Sequence, residues 1–376
     1  THPAGNRRAG ERVRMQSEPV GVGLIGAGMI GQGHAYALRL LAEDGEVRPV
    51  AVTDFSREAV DAARKICPFE RVAENAQAVI DDPDVEAIVI VTPTTTHRDL
   101  VRAVVEAGKP LLCEKPLATS FDVVREMCDV VTTSGLTAQV GFHSRFHPLI
   151  NELVRLVSTN ELGAPMGYTL RDDQYWPTGD VVPGHSSWRS ERAQAGGGAL
   201  LEHSIHSADI LSWLFGPATS VYARTRSVFG YDVEDTAVCT IEHDSGVVGT
   251  LISIFNGVRG REERRLEVFF ERGAVEVTTD FLVGAREDSF LVQRPDREPE
   301  RFDVAAMRDR HFEADGIVRR DFFVYLYPAA RAFVRSVRQK QAASPTFSDA
   351  FTAHALVDAA YRSVDEKSAA TVERAG

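Results

Sequence analysis

Val20-Gly-Val-Gly-Leu-Ile25 runs directly into Gly26-Ala-Gly28-Met-Ile-Gly31, and an amphipathic stretch follows to about Leu41. A short buried strand, a turn spaced Gly-x-Gly-x-x-Gly and a helix leave few folds open. The glycines permit a tight turn and let backbone N–H groups approach a pyrophosphate at the helix N-terminus, where the helix dipole favours anions. The spacing alone is a weak signal, because such triplets occur by chance in glycine-containing loops. Its place between a strand and a helix gives it meaning. The same alternation continues. Val50 to Asp54 reads as a second strand, and Ser56 caps a helix to about Lys65. Ala87–Val91, Leu111–Cys113 and Thr137–Phe142 read as further strands, with helices over Thr95–Ala107 and Phe121–Thr132 between them. Strands alternating with helices at this interval predict a parallel sheet covered on both faces.

The pattern changes at Pro148. After one helix to about Val157, most of Met166–Val292 has strand character, punctuated by turns such as Asp244-Ser245-Gly246 and Glu271-Arg272-Gly273. This predicts a large, mostly antiparallel open sheet. Helices over about Asp321–Lys340 and Ser348–Lys367 close the chain. The expected organisation is a flexible leader over 1–18, a dinucleotide-binding α/β Rossmann domain over 19–143, an α+β domain over 144–368 and a tail over 369–376. A length of 376 residues agrees with two domains. The net charge of −12 argues against nucleic acid and acidic membranes as partners. No apolar run reaches the roughly 18 residues of a membrane span. Cys67, Cys113, Cys128 and Cys239 lie far apart and form no CxxC pair, which suits buried thiols in a reducing cytoplasm. Arg7-Arg8 lacks the apolar run of an export signal, so a cytoplasmic location is expected.

Asp54 ends the second strand, where a carboxylate would bind the adenosine ribose hydroxyls and repel a 2′-phosphate. NAD is therefore the expected cofactor, while Arg57 stands close enough in sequence to pair with a phosphate and keeps NADP open. Ligands of such sheets bind beyond the carboxyl ends of the strands. Met29, Ile30, Phe55, Thr92, Pro93, His97 and Glu114 join Gly26, Gly28, Gly31 and Asp54 as expected cofactor neighbours on that ground. Glu114-Lys115-Pro116 follows the fourth strand, so Lys115 would enter the nicotinamide end. It is either a salt-bridged lysine or an ammonium that holds a substrate hydroxyl.

A second glycine run, Gly196-Gly197-Gly198, opens a segment expected to be one helix to about Phe215. Helical spacing would put Glu202, His206 and Asp209 in one polar stripe beside the apolar Leu201, Ile205, Ala208 and Leu211. Such a stripe is either a reactive wall or a buried helix with satisfied polar groups. His203, His206 and Asp209 could ligate a metal, but the HExxH order and a clear fourth ligand are missing, so none is expected. The aromatic loop from Tyr175-Trp176-Pro177 to Trp188-Arg189 is expected to line a substrate pocket, with His143 and Arg145 as further candidates.

Together the Gly26 turn, Asp54, Glu114-Lys115-Pro116 and Gly196-Gly197-Gly198…Glu202-x-x-x-His206 resemble the Gfo/Idh/MocA family of NAD(P)-dependent oxidoreductases, over roughly Val20–Val364. Gly141–Phe146 and Ser187-Trp188-Arg189 are similarly placed. The resemblance implies a Rossmann domain and a second domain whose open sheet makes a homo-oligomer, dimer or tetramer. It implies that Lys115 and His206 serve catalysis, with Glu202 where relatives commonly have Asp and Ser204 where many have Gly. Substrate contacts are then expected from Lys115, His143, Arg145, Trp176, Trp188, Arg189, Glu202, His203 and His206. The implied activity interconverts a secondary alcohol and a ketone on a sugar, sugar derivative or cyclitol. An NAD-dependent glycosidase of the same family, and a non-catalytic NAD-binding regulator, are the alternatives.

Overall fold

A computed structural model describes residues 18–176, 187–258, 262–279, 288–314 and 325–374. In the first half, β1 (Val20–Ile25), α1 (Met29–Glu43), β2 (Val47–Thr53), α2 (Arg57–Ile66), β3 (Arg71–Val72), α3 (Ala76–Ile80), β4 (Ala87–Ile90), α4 (His97–Glu106), β5 (Leu111–Cys113), α5 (Phe121–Ser134) and β6 (Ala138–Val140) follow one another. The strands form a six-stranded sheet in the order β3-β2-β1-β4-β5-β6, parallel throughout. All of β1 and β4 is buried, as their near-continuous apolar runs require of a sheet covered on both faces. Strand order reverses between β1 and β4, so a crevice opens beyond their carboxyl ends. The sequence reading missed β3 and α3; two exposed residues carry no alternation to reveal a strand.

After α6 (Pro148–Thr159) come β7 (Pro165–Tyr175), α7 (Arg192–Ala195), α8 (Ile205–Phe215), β8 (Ala218–Arg226), β9 (Thr236–His243), β10 (Val248–Asn256), β11 (Glu263–Phe270), β12 (Gly273–Thr279), β13 (Ser289–Gln293) and β14 (Glu300–Arg301). Then follow α9 (Val304–Ala314), α10 (Leu326–Gln339), α11 (Phe347–Glu366) and β15 (Ala370–Thr371). Among the described residues nine strands pair as β14-β13-β12-β11-β7-β10-β9-β8-β15. Every pairing is antiparallel except the central one between β7 and β10. Alternation in β9 and β10 turns Ala237, Cys239, Ile241 and Leu251 inward beneath α8 and α11, and leaves Val238 and Val248 exposed.

Two segments near the chain end pack in places that local pattern does not indicate. Helix α10, assigned from sequence to the second domain, packs against α1: Tyr327, Ala330, Phe333 and Val334 share a core with Leu38, Leu41 and β1. The Tyr327 hydroxyl donates to Asp44 at 2.7 Å, and Arg331 meets Glu46 at 2.6 Å. An amphipathic pattern says that a helix needs a core and not which core. Within the 369–376 segment that reads as a tail, Ala370–Thr371 extends the large sheet by pairing with β8. Helix α9 was not anticipated, and the part of the closing helix expected over 321–324 lies outside the described residues. Since Phe333 is only 1% exposed, Phe333→Ala should lower stability by about 3 kcal/mol. Loss of the α1 face should appear as a lower urea midpoint in far-UV circular dichroism.

Candidate active site

The glycine turn is shaped by its surroundings. Gly26 has φ +100°, and a Cβ there would stand 2.4 Å from the Val91 carbonyl oxygen, at the edge of the crevice. Gly28 caps α1, and a Cβ on it would meet no protein atom within 4 Å, so the turn presents bare backbone to open space. Asp54 Oδ2 accepts the Ala27 N–H at 2.6 Å and Oδ1 accepts that of Ser56 at 2.8 Å, which ties the end of β2 to the turn. Phe55 beside it is 99% exposed. From here a cavity of about 760 Å³ runs past Met29, Ile30, Gly31, Thr92 and Pro93 to Glu114, Lys115, His143, Trp188, Arg189, Glu202, His203 and His206. Bare amides at a helix N-terminus with an acid ending β2 are the donors and acceptor that a dinucleotide needs, and the residues present fit it.

At the far end, the Lys115 ammonium donates to the Glu202 carbonyl at 3.0 Å. Burial pushes the Lys115 amine below its ordinary range. Beneath it Glu114, 5% exposed, accepts the Lys115 N–H at 3.1 Å and faces His34 Nε2 at 2.9 Å. Burial would raise the Glu114 carboxyl, but the His34 contact together with neighbouring charge, Lys115 included, holds the group below the usual range. The sequence reading missed His34, although its place three residues after Gly31 puts it on the first turns of α1. His97 does not line the cavity as expected. It is buried behind it, with ring nitrogens 3.0 Å from the Pro116 carbonyl and 2.9 Å from that of Thr92, so it joins the loops after β4 and β5.

The segment from Gly196 is not the single helix the spacing suggested. The short α7 ends at Gly196, one turn of π-helix spans Ala199–His203, and α8 begins at Ile205. Glu234, unremarked in the sequence, organises this. Its carboxylate accepts the N–H groups of Gly198 at 2.9 Å and Leu200 at 3.0 Å, and its carbonyl accepts that of Ala199 at 2.9 Å. A Cβ on Gly198 would lie 1.8 Å from that carbonyl oxygen, so only glycine admits the approach. The wider π turn, closed by Ser204 N–H to Ala199 carbonyl at 3.0 Å, changes the helical phase. Glu202, His203 and His206 therefore reach the cavity, while Asp209 leaves the expected stripe.

Asp209 instead receives Arg145 in a buried two-pronged pair at 2.8 and 2.6 Å, and Arg145 also meets Asp349 at 3.1 Å. Arg145 thus sits behind the helix, over the ring of Trp213, and not in the cavity. Trp176 likewise lies away from the cavity wall. It is 1% exposed and stacked on Tyr231 at 4.8 Å, with Phe255 edge-on at 4.7 Å. Sequence shows that a residue is aromatic and near a loop, but not which side of the sheet it takes. Of that loop, residues 177–186 lie outside the described residues.

The polar wall that remains is densely charged. Arg189, stacked on Trp188 at 4.3 Å, donates to Glu202 Oε2 at 3.2 Å, while Glu202 Oε1 is buried with no hydrogen-bond partner among the described residues. The His143 and His206 rings meet edge-on at 4.5 Å. Burial pushes His143 down to about 4, and burial with the adjacent Lys115 charge holds His206 well below its ordinary value, so both imidazoles are neutral at neutral pH. Asp172 stands behind His203 and pairs with Arg264, which also lines the cavity; neither residue belongs to a sequence motif. Among the described residues no His, Cys, Asp and Glu cluster could hold a metal, and no helix is long and apolar enough to cross a membrane.

Both halves of the chain match a known family. Residues 20–142 match the model of an oxidoreductase family with an NAD-binding Rossmann fold, and residues 150–276 match the GFO/IDH/MocA C-terminal domain. Inositol 2-dehydrogenase 2 of Paenarthrobacter aurescens is 31% identical over 72% of this chain and 79% of its own. The chain belongs to the Gfo/Idh/MocA family. Scyllo-inositol 2-dehydrogenase (NAD(+)) of Bacillus subtilis is another relative, 30% identical over 68% of this chain and 73% of its own. The fold is shared with a levoglucosan dehydrogenase solved in complex with NADH, at TM-score 0.84 and 23% identity over 95% of this chain and 100% of that one. As a Gfo/Idh/MocA protein, the chain is an NAD(P)-dependent dehydrogenase or reductase, and its first sheet is the NAD-binding Rossmann unit. Because Gly198 has no room for a methyl group, Gly198→Ala should cost about 2 kcal/mol or more in stability. Turnover should fall with it, whereas NAD affinity by calorimetry should stay near wild type; unchanged turnover would contradict this account of the glycine run.

Proposed function

We propose that this oxidoreductase interconverts a secondary alcohol and a ketone on a sugar, sugar derivative or cyclitol, using NAD, with His206 as acid/base and Lys115 as the group that holds the reacting oxygen. One observation carries the reading: Lys115, Glu202 and His206 line the same cavity as the glycine turn and Asp54. The names of the relatives, inositol dehydrogenases among them, support the substrate class. When bound, NAD supplies the hydride acceptor at one end of that cavity.

The chain's own residues supply the rest. His206 is buried, neutral, and has no hydrogen-bond partner on Nδ1 among the described residues, so it is available to take the hydroxyl proton during oxidation and return it during reduction. The Lys115 ammonium stabilises alkoxide character on the oxygen, in a site where burial strengthens every charge. Glu202 Oε1 accepts from a further substrate hydroxyl while Arg189 holds Oε2. Asp54 favours NAD over NADP, because its carboxylate repels a 2′-phosphate.

A panel of cyclitols, hexoses and uronic acids, offered with NAD and with NADP, tests the reading through NADH absorbance. At least one polyol should reduce NAD, and reduce NADP more slowly. On that substrate His206→Ala should lower kcat by about 100-fold or more while leaving NAD affinity nearly intact; turnover close to wild type would sink the assignment. The pH profile follows from the same group. His206 must be unprotonated to act as base, so activity is lost as pH falls through its lowered pKa. The acidic limb of kcat/KM for alcohol oxidation should therefore lie below the imidazole's ordinary value of about 6.5, and a limb above that value counts against His206.

A further inference from the structure

The wall beside His206 carries a second imidazole that the reaction above leaves unused. His203 Nε2 lies 2.8 Å from Asp172 Oδ1. Asp172, 1% exposed, also accepts from Ser204 Oγ at 2.9 Å, Ser207 Oγ at 2.5 Å, and Arg264 Nε and Nη2 at 3.1 and 3.0 Å. Its partners come from β11, the π turn, Ser204 and α8, and Arg264 is its register partner across β7 and β11. Burial alone would raise the Asp172 carboxyl, but Arg264 and His203 hold it far below the usual carboxylate range, so it stays ionised. A carboxylate fixed by Ser204, Ser207 and Arg264, 2.8 Å from Nε2, sets how the His203 ring is turned. That ring forms part of the cavity wall with Glu202 and His206. A hub needed only to hold the sheet to α8 would be complete with Arg264, Ser204 and Ser207, whereas the ion-pair contact to His203 ties in a ring that lines the cleft.

We propose that His203, oriented by Asp172, hydrogen-bonds a second hydroxyl of the substrate, so that the enzyme selects polyols in which a hydroxyl other than the reacting one is correctly placed. Asp172 is then a positioning residue. The inference rests on the alcohol-oxidising reading and adds a selection rule to it.

The test uses the full-length protein with NAD and three probes: myo-inositol, D-glucose and levoglucosan. It is repeated with monodeoxy analogues of whichever probe wild type oxidises best. His203→Ala should raise KM for the parent polyol about tenfold, the loss of one hydrogen bond, with kcat within about threefold of wild type. Wild type should show a similar rise on one deoxy analogue, and on that analogue His203→Ala should lose nothing more. His203→Gln, which keeps a hydrogen-bonding group, should recover part of the loss. Asp172→Asn should shift KM in the same way, with NAD affinity by calorimetry unchanged. Removing the charge leaves Arg264 buried, so if that variant fails to fold the His203 variants decide alone. An equal loss on the parent and every analogue, or a fall in kcat at constant KM, overturns the proposal while leaving alcohol oxidation standing. If wild type oxidises none of the probes, the underlying reading is at fault and this inference falls with it.

Discussion

Three backbone N–H groups at the start of the Ala199 turn have no partner within their own helix, and Glu234 satisfies them from a neighbouring strand connection. The arrangement of the cleft depends on that contact. It permits the π turn, and the π turn decides that Glu202, His203 and His206 face the cavity while Asp209 faces Arg145. Tyr361 on α11 donates to the same Glu234 carboxylate at 2.9 Å, so the last long helix is tied to the anchor as well. A methyl group on Gly198 would separate the turn from Glu234, which is why glycine stands at the closest approach.

The cleft assembled in this way concentrates cations without leaving them uncompensated. Lys115, Arg189, Arg264 and three imidazoles share one cavity with Glu114 and Glu202. Arg189 is paired with Glu202 and Arg264 with Asp172, while burial keeps His143 and His206 neutral. The result is a wall of donors and acceptors with defined protonation, suited to ligands covered in hydroxyl groups. Charge pairing across β7, β11 and α8 also makes the wall rigid, because each partner belongs to a different element.

Much of this was legible beforehand. The strand–glycine–helix start, the change of pattern near Pro148 and the open sheet follow from period and turn chemistry, and the fold and the NAD-binding unit agree with them. Lys115, Glu202 and His206, each carried by a sequence motif, line one cavity. Three other candidates lie away from the cavity wall for a common reason. Arg145, Trp176 and His97 are polar or aromatic residues at loop positions that resemble pocket linings, yet each turns inward, Arg145 onto Asp209, His97 onto two loop carbonyls and Trp176 onto the rings of Tyr231 and Phe255. His34, Asp172, Glu234 and Arg264 went unnoticed because a single acid or base in a strand or helix carries no period and no motif.

The order of strands and helices, the glycine turn for a dinucleotide, the acid that ends β2 and the membership of an oxidoreductase family were determined by the sequence alone, since each is a local pattern of spacing and residue type. Tertiary structure alone decided that α10 serves the first core, that Ala370–Thr371 completes the large sheet, and that one π turn divides a helical stripe between cleft and core. Those outcomes depend on contacts between residues tens to hundreds of positions apart. Phase, facing and pairing at that distance follow from packing and from the need to satisfy buried polar groups, which no local period encodes.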